Sequence, residues 1–179
     1  MKKKAPGLAA VLVVVALAAA PAGAASLGDA FAGYSALTGG DSGTRHGWNV
    51  TLGSGGARRL GLVVDLSGHR GSDEESGDDL DTLALMAGPR FFFGSGRVRP
   101  FVQVIAGVVR EKASVHVFDV DISESATDFG GAAGAGFDLG LGGSWALRLA
   151  GDYRVIKVDG GTAGDPRVSA GVAYRFGGN

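Results

Sequence analysis

The sequence predicts an all-β chain: one eight-stranded antiparallel up-and-down transmembrane β-barrel, preceded by a signal peptide. Three observations predict it. The N-terminus has the charge and apolar pattern of a secretory signal, and no later apolar stretch escapes glycine or charge long enough to form a spanning helix. From residue 25 the hydrophobic period is two, in segments near the ~9–11 residues that a tilted membrane strand needs. The connections between those segments alternate between short, glycine-rich ones and longer, polar ones.

The elements follow in order. Lys2, Lys3 and Lys4 form a positive head, residues 8–20 an apolar run, and Ala22-Gly23-Ala24 a small-x-small cleavage pattern. This places a signal peptide at 1–24 and a single barrel domain at 25–179. A permanent membrane anchor is the alternative, but Pro6 and Pro21 bound the run and it falls short of the ~20 residues a spanning helix takes. Strands are expected at 29–38, 47–53, 59–69, 81–93, 100–110, 128–140, 145–157 and 167–176, an even number that returns both ends of the barrel to one side. The clearest is 145–157, where Trp145, Leu147, Leu149, Gly151, Tyr153 and Val155 oppose Ala146, Arg148, Ala150, Asp152 and Arg154. In 59–69, Leu60, Leu62, Val64 and Leu66 oppose Arg59, Gly61, Asp65, Ser67 and His69; in 167–176, Val168, Ala170, Val172, Tyr174 and Phe176 oppose Arg167, Ser169, Gly171, Ala173 and Arg175. Pro89 cannot donate a ladder hydrogen bond, so a bulge or bend is expected there. Residues 54–57, 94–99 and 141–144 are the short connections, assigned to the periplasmic side. Residues 39–46, 70–80, 111–127 and 158–165 are the long ones, assigned to the outside.

An outward apolar face selects a membrane barrel, because in lipid every backbone N–H and C=O must be paired internally and only closure removes the edges. Eight strands enclose a space just wide enough for side chains to fill. Asp65, Arg90, Asp138, Arg148, Asp152, Arg154 and Arg175 are expected to meet there as a charge network, since unpaired they would cost several kcal/mol each. Such a network either fills and rigidifies the interior or lines a narrow conducting path.

The last segment, Ser169-Ala170-Gly171-Val172-Ala173-Tyr174-Arg175-Phe176, resembles the assembly signal on the final strand of outer-membrane barrels, with Gly171, Tyr174 and Phe176 at its key positions. Gly177, Gly178 and Asn179 follow it, a departure from members that end on the aromatic. Phe31-Ala32-Gly33-Tyr34-Ser35 and His46-Gly47-Trp48-Asn49 are similar to the first hairpin of the small outer-membrane β-barrel domain family that includes the OmpA transmembrane domain and OmpX-like proteins. The resemblance covers the whole region after the signal. It implies location in the bacterial outer membrane and recognition by the barrel-assembly machinery. It does not imply the peptidoglycan-binding domain that OmpA-like proteins often carry, which has no counterpart after the last strand.

Composition narrows the chemistry. Net charge is -1, with 17 basic and 18 acidic residues, so no global excess points to nucleic acid. There is no cysteine for a disulfide, a thiolate site or a lipoprotein anchor, and the 33 glycines show no collagen-like period. His46, His69 and His116 fall in or beside the outer connections without metal-ligand spacing, and surface or rim positions are expected. Ser67 and His69 lie two apart on the inward face, whereas a Ser/His/acid site of the kind found in lipid-modifying barrels would face lipid. The run Asp73-Glu74-Glu75-Ser76-Gly77-Asp78-Asp79 lacks the EF-hand spacing; a solvated loop is expected, with collection of divalent cations that bridge lipopolysaccharide phosphates as the alternative. Asp119-Val120-Asp121-Ile122-Ser123 opens like a calcium loop, but Glu124 and Gly130 occupy the positions of the turn glycine and closing glutamate. No cofactor, metal or catalytic residue is assigned.

Val115, Val117, Phe118, Val120 and Ile122 make the 111–127 connection apolar and strand-like. Either the flanking strands continue beyond the membrane and offer an edge to a surface protein partner, or the segment folds over the barrel mouth as a lid. The expected function is non-enzymatic: membrane integrity or surface interaction through outer loops, in contact with outer-membrane lipid and lipopolysaccharide. The alternatives are a narrow porin-like pore, a lipid-modifying barrel enzyme, and a soluble lipocalin-like carrier with its apolar face inside.

Overall fold

The computed structural model describes residues 27–38, 43–54, 59–72, 79–94, 96–117, 120–158 and 161–176; the expected signal peptide and Phe118 lie outside them. The strands are β1 (Leu27–Thr38), β2 (Thr44–Ser54), β3 (Leu60–Ser72), β4 (Asp79–Phe92), β5 (Val98–Val117), β6 (Val120–Gly142), β7 (Trp145–Val158) and β8 (Gly161–Arg175). Each pairs antiparallel with its sequence neighbour, and β1 closes on β8 from Asp29↔Arg175 to Leu37↔Arg167. The all-β eight-stranded barrel is therefore observed.

The face assignments hold in the three clearest strands. Leu62, Tyr153 and Val168 are more than half exposed on the outer surface, while Asp65, Arg148 and Arg167 are each 1 % exposed inside. Aromatic residues gather where the outward band ends. Phe93, Trp145, Tyr174 and Phe176 sit near the short turns, with the Tyr174 ring 4.9 Å from Trp145 and 5.1 Å from Phe176. Tyr34, Trp48, Phe129 and Tyr153 lie toward the opposite end, the depths at which amphipathic rings favour the two membrane interfaces.

The seam shows why glycine is needed. Gly33 of β1 faces Gly171 of β8, and a Cβ on either would stand 2.4 or 2.3 Å from a carbonyl oxygen of the partner strand. On the short-turn side, Gly143 carries the chain from β6 into β7 with φ 55°.

Two expectations are corrected. No bulge occurs at Pro89: it pairs with Leu62, and the β4–β5 ladder resumes at Arg90↔Gln103 in the register it held at Ala87↔Ala106. A proline without an N–H leaves out a bond there without adding a residue. The bulge-like shifts fall instead between Leu27 and Asp29 and between Gly140 and Gly142. The long outer connections are also partly strand, and 111–127 and 158–165 are mostly so. What separates the strand ends on that side is 39–43, 73–78, 118–119 and 159–160, so the extra sequence extends the hairpins rather than the loops.

Candidate functional site: the filled lumen and the outer hairpin

Inward positions recur every second residue, and the stagger of the barrel stacks them into two charged clusters. Toward the short-turn end, Arg148 of β7 donates to both oxygens of Asp138 at 2.6 and 2.9 Å, and its Nη2 lies 2.7 Å from Asp29. Arg90 of β4 donates to Gln103 at 2.8 and 3.0 Å and to Asp29 at 3.2 Å. Aromatic rings pad this cluster: Arg148 lies 5.5 Å from the Phe31 centroid and 5.2 Å from that of Phe101, and Arg90 lies 4.8 Å from Phe101. Two arginines thus meet two carboxylates.

Deeper toward the outside the same balance recurs. Arg167 of β8 donates to Asp152 at 2.7 and 3.0 Å and to Asp65 at 2.9 and 3.1 Å, while Asn49 donates to Asp65 at 2.9 Å. Arg154 donates to Ser67 at 2.6 Å and approaches Asp152 and Asp65 at 3.8 and 4.0 Å. The opposite wall is apolar, with Ala84 and Met86 of β4, Ile105 and Val109 of β5 and Ala132 of β6 in one buried cluster. At the outer mouth, Arg45 donates to Thr82, Asp165 and Glu111 at 3.1, 2.9 and 3.4 Å.

The structure brings Asp65, Arg90, Asp138, Arg148, Asp152 and Arg154 into these two clusters and leaves Arg175 apart at the short-turn mouth, without a carboxylate partner among the described residues. Sequence reasoning missed Asp29, Arg45 and Arg167. Arg45 fell in an expected loop that is in fact strand, and Asp29 at the edge of a loosely patterned segment. Arg167 stood on the inward face already and was the one partner legible from parity alone. The assembly-signal residues Gly171 and Tyr174 lie in β8, and Phe176 follows it with its N–H donating to the Gly28 carbonyl at 3.1 Å.

The lumen holds a Ser/His contact, but not the pair read from sequence. His69 Nε2 lies 2.9 Å from Ser35 Oγ, both buried, while Ser67 serves Arg154. His69 is therefore a lumen residue rather than a surface one, because the strand carrying it runs on to Ser72. Among the described residues its Nδ1 has no hydrogen-bond partner and no acid orients the ring as an acyl-transfer triad requires. Among the described residues no group of three potential metal ligands comes together. His46 sits at the outer rim against Tyr34, and the side chain of His116 lies outside the described residues.

The outward surface changes from apolar to polar at Leu83/Asp81, Val108/Arg110, Phe129/Thr127 and Val155/Lys157. Beyond that level Arg70 donates to both oxygens of Asp81 at 2.6 and 3.0 Å, and these bonds hold the Asp81 carboxyl below the usual carboxylate range. Beyond it too, β5 and β6 stay paired with each other to Val117↔Val120. With 20 and 23 residues they are the longest strands. β7 pairs with β6 only from Gly130 inward, so β6 residues 120–129 have no ladder partner on that side among the described residues. Val115, Val117, Val120 and Ile122 belong to this hairpin by backbone pairing. Of the acidic run, residues 73–78 lie outside the described residues.

The family described as "Outer membrane protein beta-barrel domain" matches residues 7–176. The chain belongs to that family. It is an outer-membrane β-barrel protein, located in the bacterial outer membrane. The attachment invasion locus protein Ail of Yersinia pestis is 21 % identical with a TM-score of 0.60, over 82 % of this chain and 99 % of Ail. Neisserial surface protein A is 18 % identical with a TM-score of 0.56, over 84 % and 96 %. OprG of Pseudomonas aeruginosa is 14 % identical with a TM-score of 0.56, over 85 % and 97 %. At these identities the likeness is one of fold. No curated protein sequence matches the chain.

Proposed function

We propose that this outer-membrane barrel is a non-enzymatic surface-interaction protein. Its strands anchor a filled scaffold, and its β5–β6 hairpin offers a strand edge to a protein partner outside the lipid. The observation that carries this reading is the edge of β6 at 120–129, where the backbone N–H and C=O groups on the side away from β5 have no neighbouring strand among the described residues. An open edge recruits a further strand through main-chain hydrogen bonds, with alternate side chains supplying selectivity.

Ail, which shares the fold, has a structure in complex with the heparin analogue sucrose octasulfate. The outer strand ends here carry Asp79, Asp81, Glu111, Asp121, Glu124, Asp128 and Asp165 against Arg45, Arg70, Arg110, Lys112 and Lys157. That balance favours a neutral or basic partner over a polyanion. The same acidity makes divalent cations the natural bridge to lipopolysaccharide phosphates. The Gly171, Tyr174 and Phe176 pattern is the proposed contact for the barrel-assembly machinery.

Deletion of residues 112–125 tests the reading, because it removes most of the open edge and leaves Arg110 paired with Thr127. Cells displaying the shortened protein should keep it in the outer-membrane fraction, with the gel shift between unboiled and boiled samples intact, and should lose photo-crosslinks that a probe at residue 127 forms in the parent. Unchanged crosslinking without the hairpin tip would remove the edge from consideration, and a change in lipid A mass on expression would point to enzymatic activity instead.

A further inference from the structure

Among the described residues, the short-turn mouth of the barrel carries arginine without acid in its connections. Residues 54, 59, 93–94, 96–99 and 141–144 include Arg59, Arg97 and Arg99 and no carboxylate, and Arg175 ends β8 beside them. The nearest acidic groups, Asp29 and Asp138, are already bonded to Arg90 and Arg148. Arg99 is nine-tenths buried, stacked with its guanidinium 4.2 Å from the Phe92 centroid, and makes no hydrogen bond or ion pair among the described residues. Arg175 has a buried Nε with no acceptor among them. The two feel each other's charge. Arg175 and Arg97 both reach Gly140: Arg97 Nε donates to the Gly140 carbonyl oxygen at 3.3 Å, and an added Cβ there would stand 3.1 Å from Arg175 Nη2.

The wall is low here. Gly140, Gly142 and Gly143 have no side chains, so a recess between Arg97 and Arg175 opens past Leu141, which is 60 % exposed on the lipid face. A site with arginines within and an apolar rim beside it, at the level of Trp145, Tyr174 and Phe176, has the layout of a lipid phosphate with its acyl chain.

We propose that Arg97 and Arg175, with the Arg99 charge behind them, bind the phosphate of an anionic phospholipid in the periplasmic leaflet, the headgroup entering over the glycine turn at 142–143 and the acyl chain lying along Leu141. The bound phosphate offsets the repulsion between Arg99 and Arg175 and gives Arg175 Nε the acceptor it lacks among the described residues. Arginine suits this better than lysine because its planar fork can hold two phosphate oxygens at once.

The test is native mass spectrometry of the refolded barrel released from bilayers of phosphatidylcholine with phosphatidylglycerol. The parent should retain phosphatidylglycerol several-fold over its share in the bilayer, and R97Q/R99Q/R175Q should retain the two lipids in proportion to supply. Should the triple variant fail to fold, R97Q/R175Q serves, since it leaves the Arg99–Phe92 stack in place. Proportional retention by the parent overturns the proposal. Displacement of the retained phosphatidylglycerol by inorganic phosphate would also overturn it, because the site would then take free phosphate from the periplasm.

Discussion

Arg167 bridges Asp65 and Asp152 from the centre of a buried cluster, so its removal leaves two carboxylates for Arg154 to serve at longer range. Arg167→Ala should therefore destabilise the refolded barrel by about 3–5 kcal/mol, read from urea unfolding in detergent or lipid. Arg167→Met combined with Asp152→Asn should recover much of that loss, because Asp65 then remains for Arg154 and no charge is stranded. Gly171 allows a separate test. Its Cβ-free face meets the Ala32 carbonyl oxygen at the seam, so Gly171→Ala should cost about 1–3 kcal/mol in a purified refolding assay that contains no assembly machinery. Full stability there, with a loss only in cells, would assign the glycine to recognition rather than packing. Parity placed Arg148, Arg154 and Arg167 inside, and that much was legible residue by residue. Which carboxylate each would reach was not, since Arg167 and Asp65 are 102 positions apart and meet only through the stagger of the closed sheet.

At the scale of the strand, alternation is visible only where one face meets lipid. Beyond the apolar band both faces are polar and the period fades while the hydrogen-bond ladder continues. Arg70-Gly71-Ser72 is strand although nothing in it alternates, and Arg45 fell into an expected loop for the same reason. The 111–127 stretch was the exception, because its valines and isoleucine preserved a strand-like signal outside the membrane. Since the β5–β6 tip pairs only with itself past Ser114, removing residues 115–122 should change the unfolding free energy by less than about 0.5 kcal/mol. A larger loss would mean that the hairpin folds back onto the mouth as a lid, which calorimetry of the two proteins would reveal.

Across the whole molecule the two charged clusters stand in series between the mouths. Each is bridged wall to wall, the first from β1 to β4, β6 and β7, the second from β3 to β7 and β8. Planar-bilayer recordings should show no discrete channel for the parent. Replacing the arginines of one cluster with alanine should leave the path closed, because the other still spans it, and only the combined replacement of Arg90, Arg148, Arg154 and Arg167 should produce steps of current. Conductance in the parent would restore the pore reading. The closed eight-strand topology was legible in the sequence from the even strand number, the membrane-length segments and the outward apolar face.

The bonded seam between β1 and β8 also makes the order of the strands in the gene separable from their order in space. Every strand has two neighbours and the barrel's two ends meet at Gly28 and Phe176, so the chain is in effect a ring that has been cut once. Joining those ends with a short glycine linker and opening the ring at 159–160 would move β8 to the front while leaving all eight ladders intact. Such a circular permutant should refold unaided in lipid to the same barrel. In cells it would present β7 last in place of the strand bearing Gly171 and Tyr174, separating what the finished sheet requires from what its export route reads.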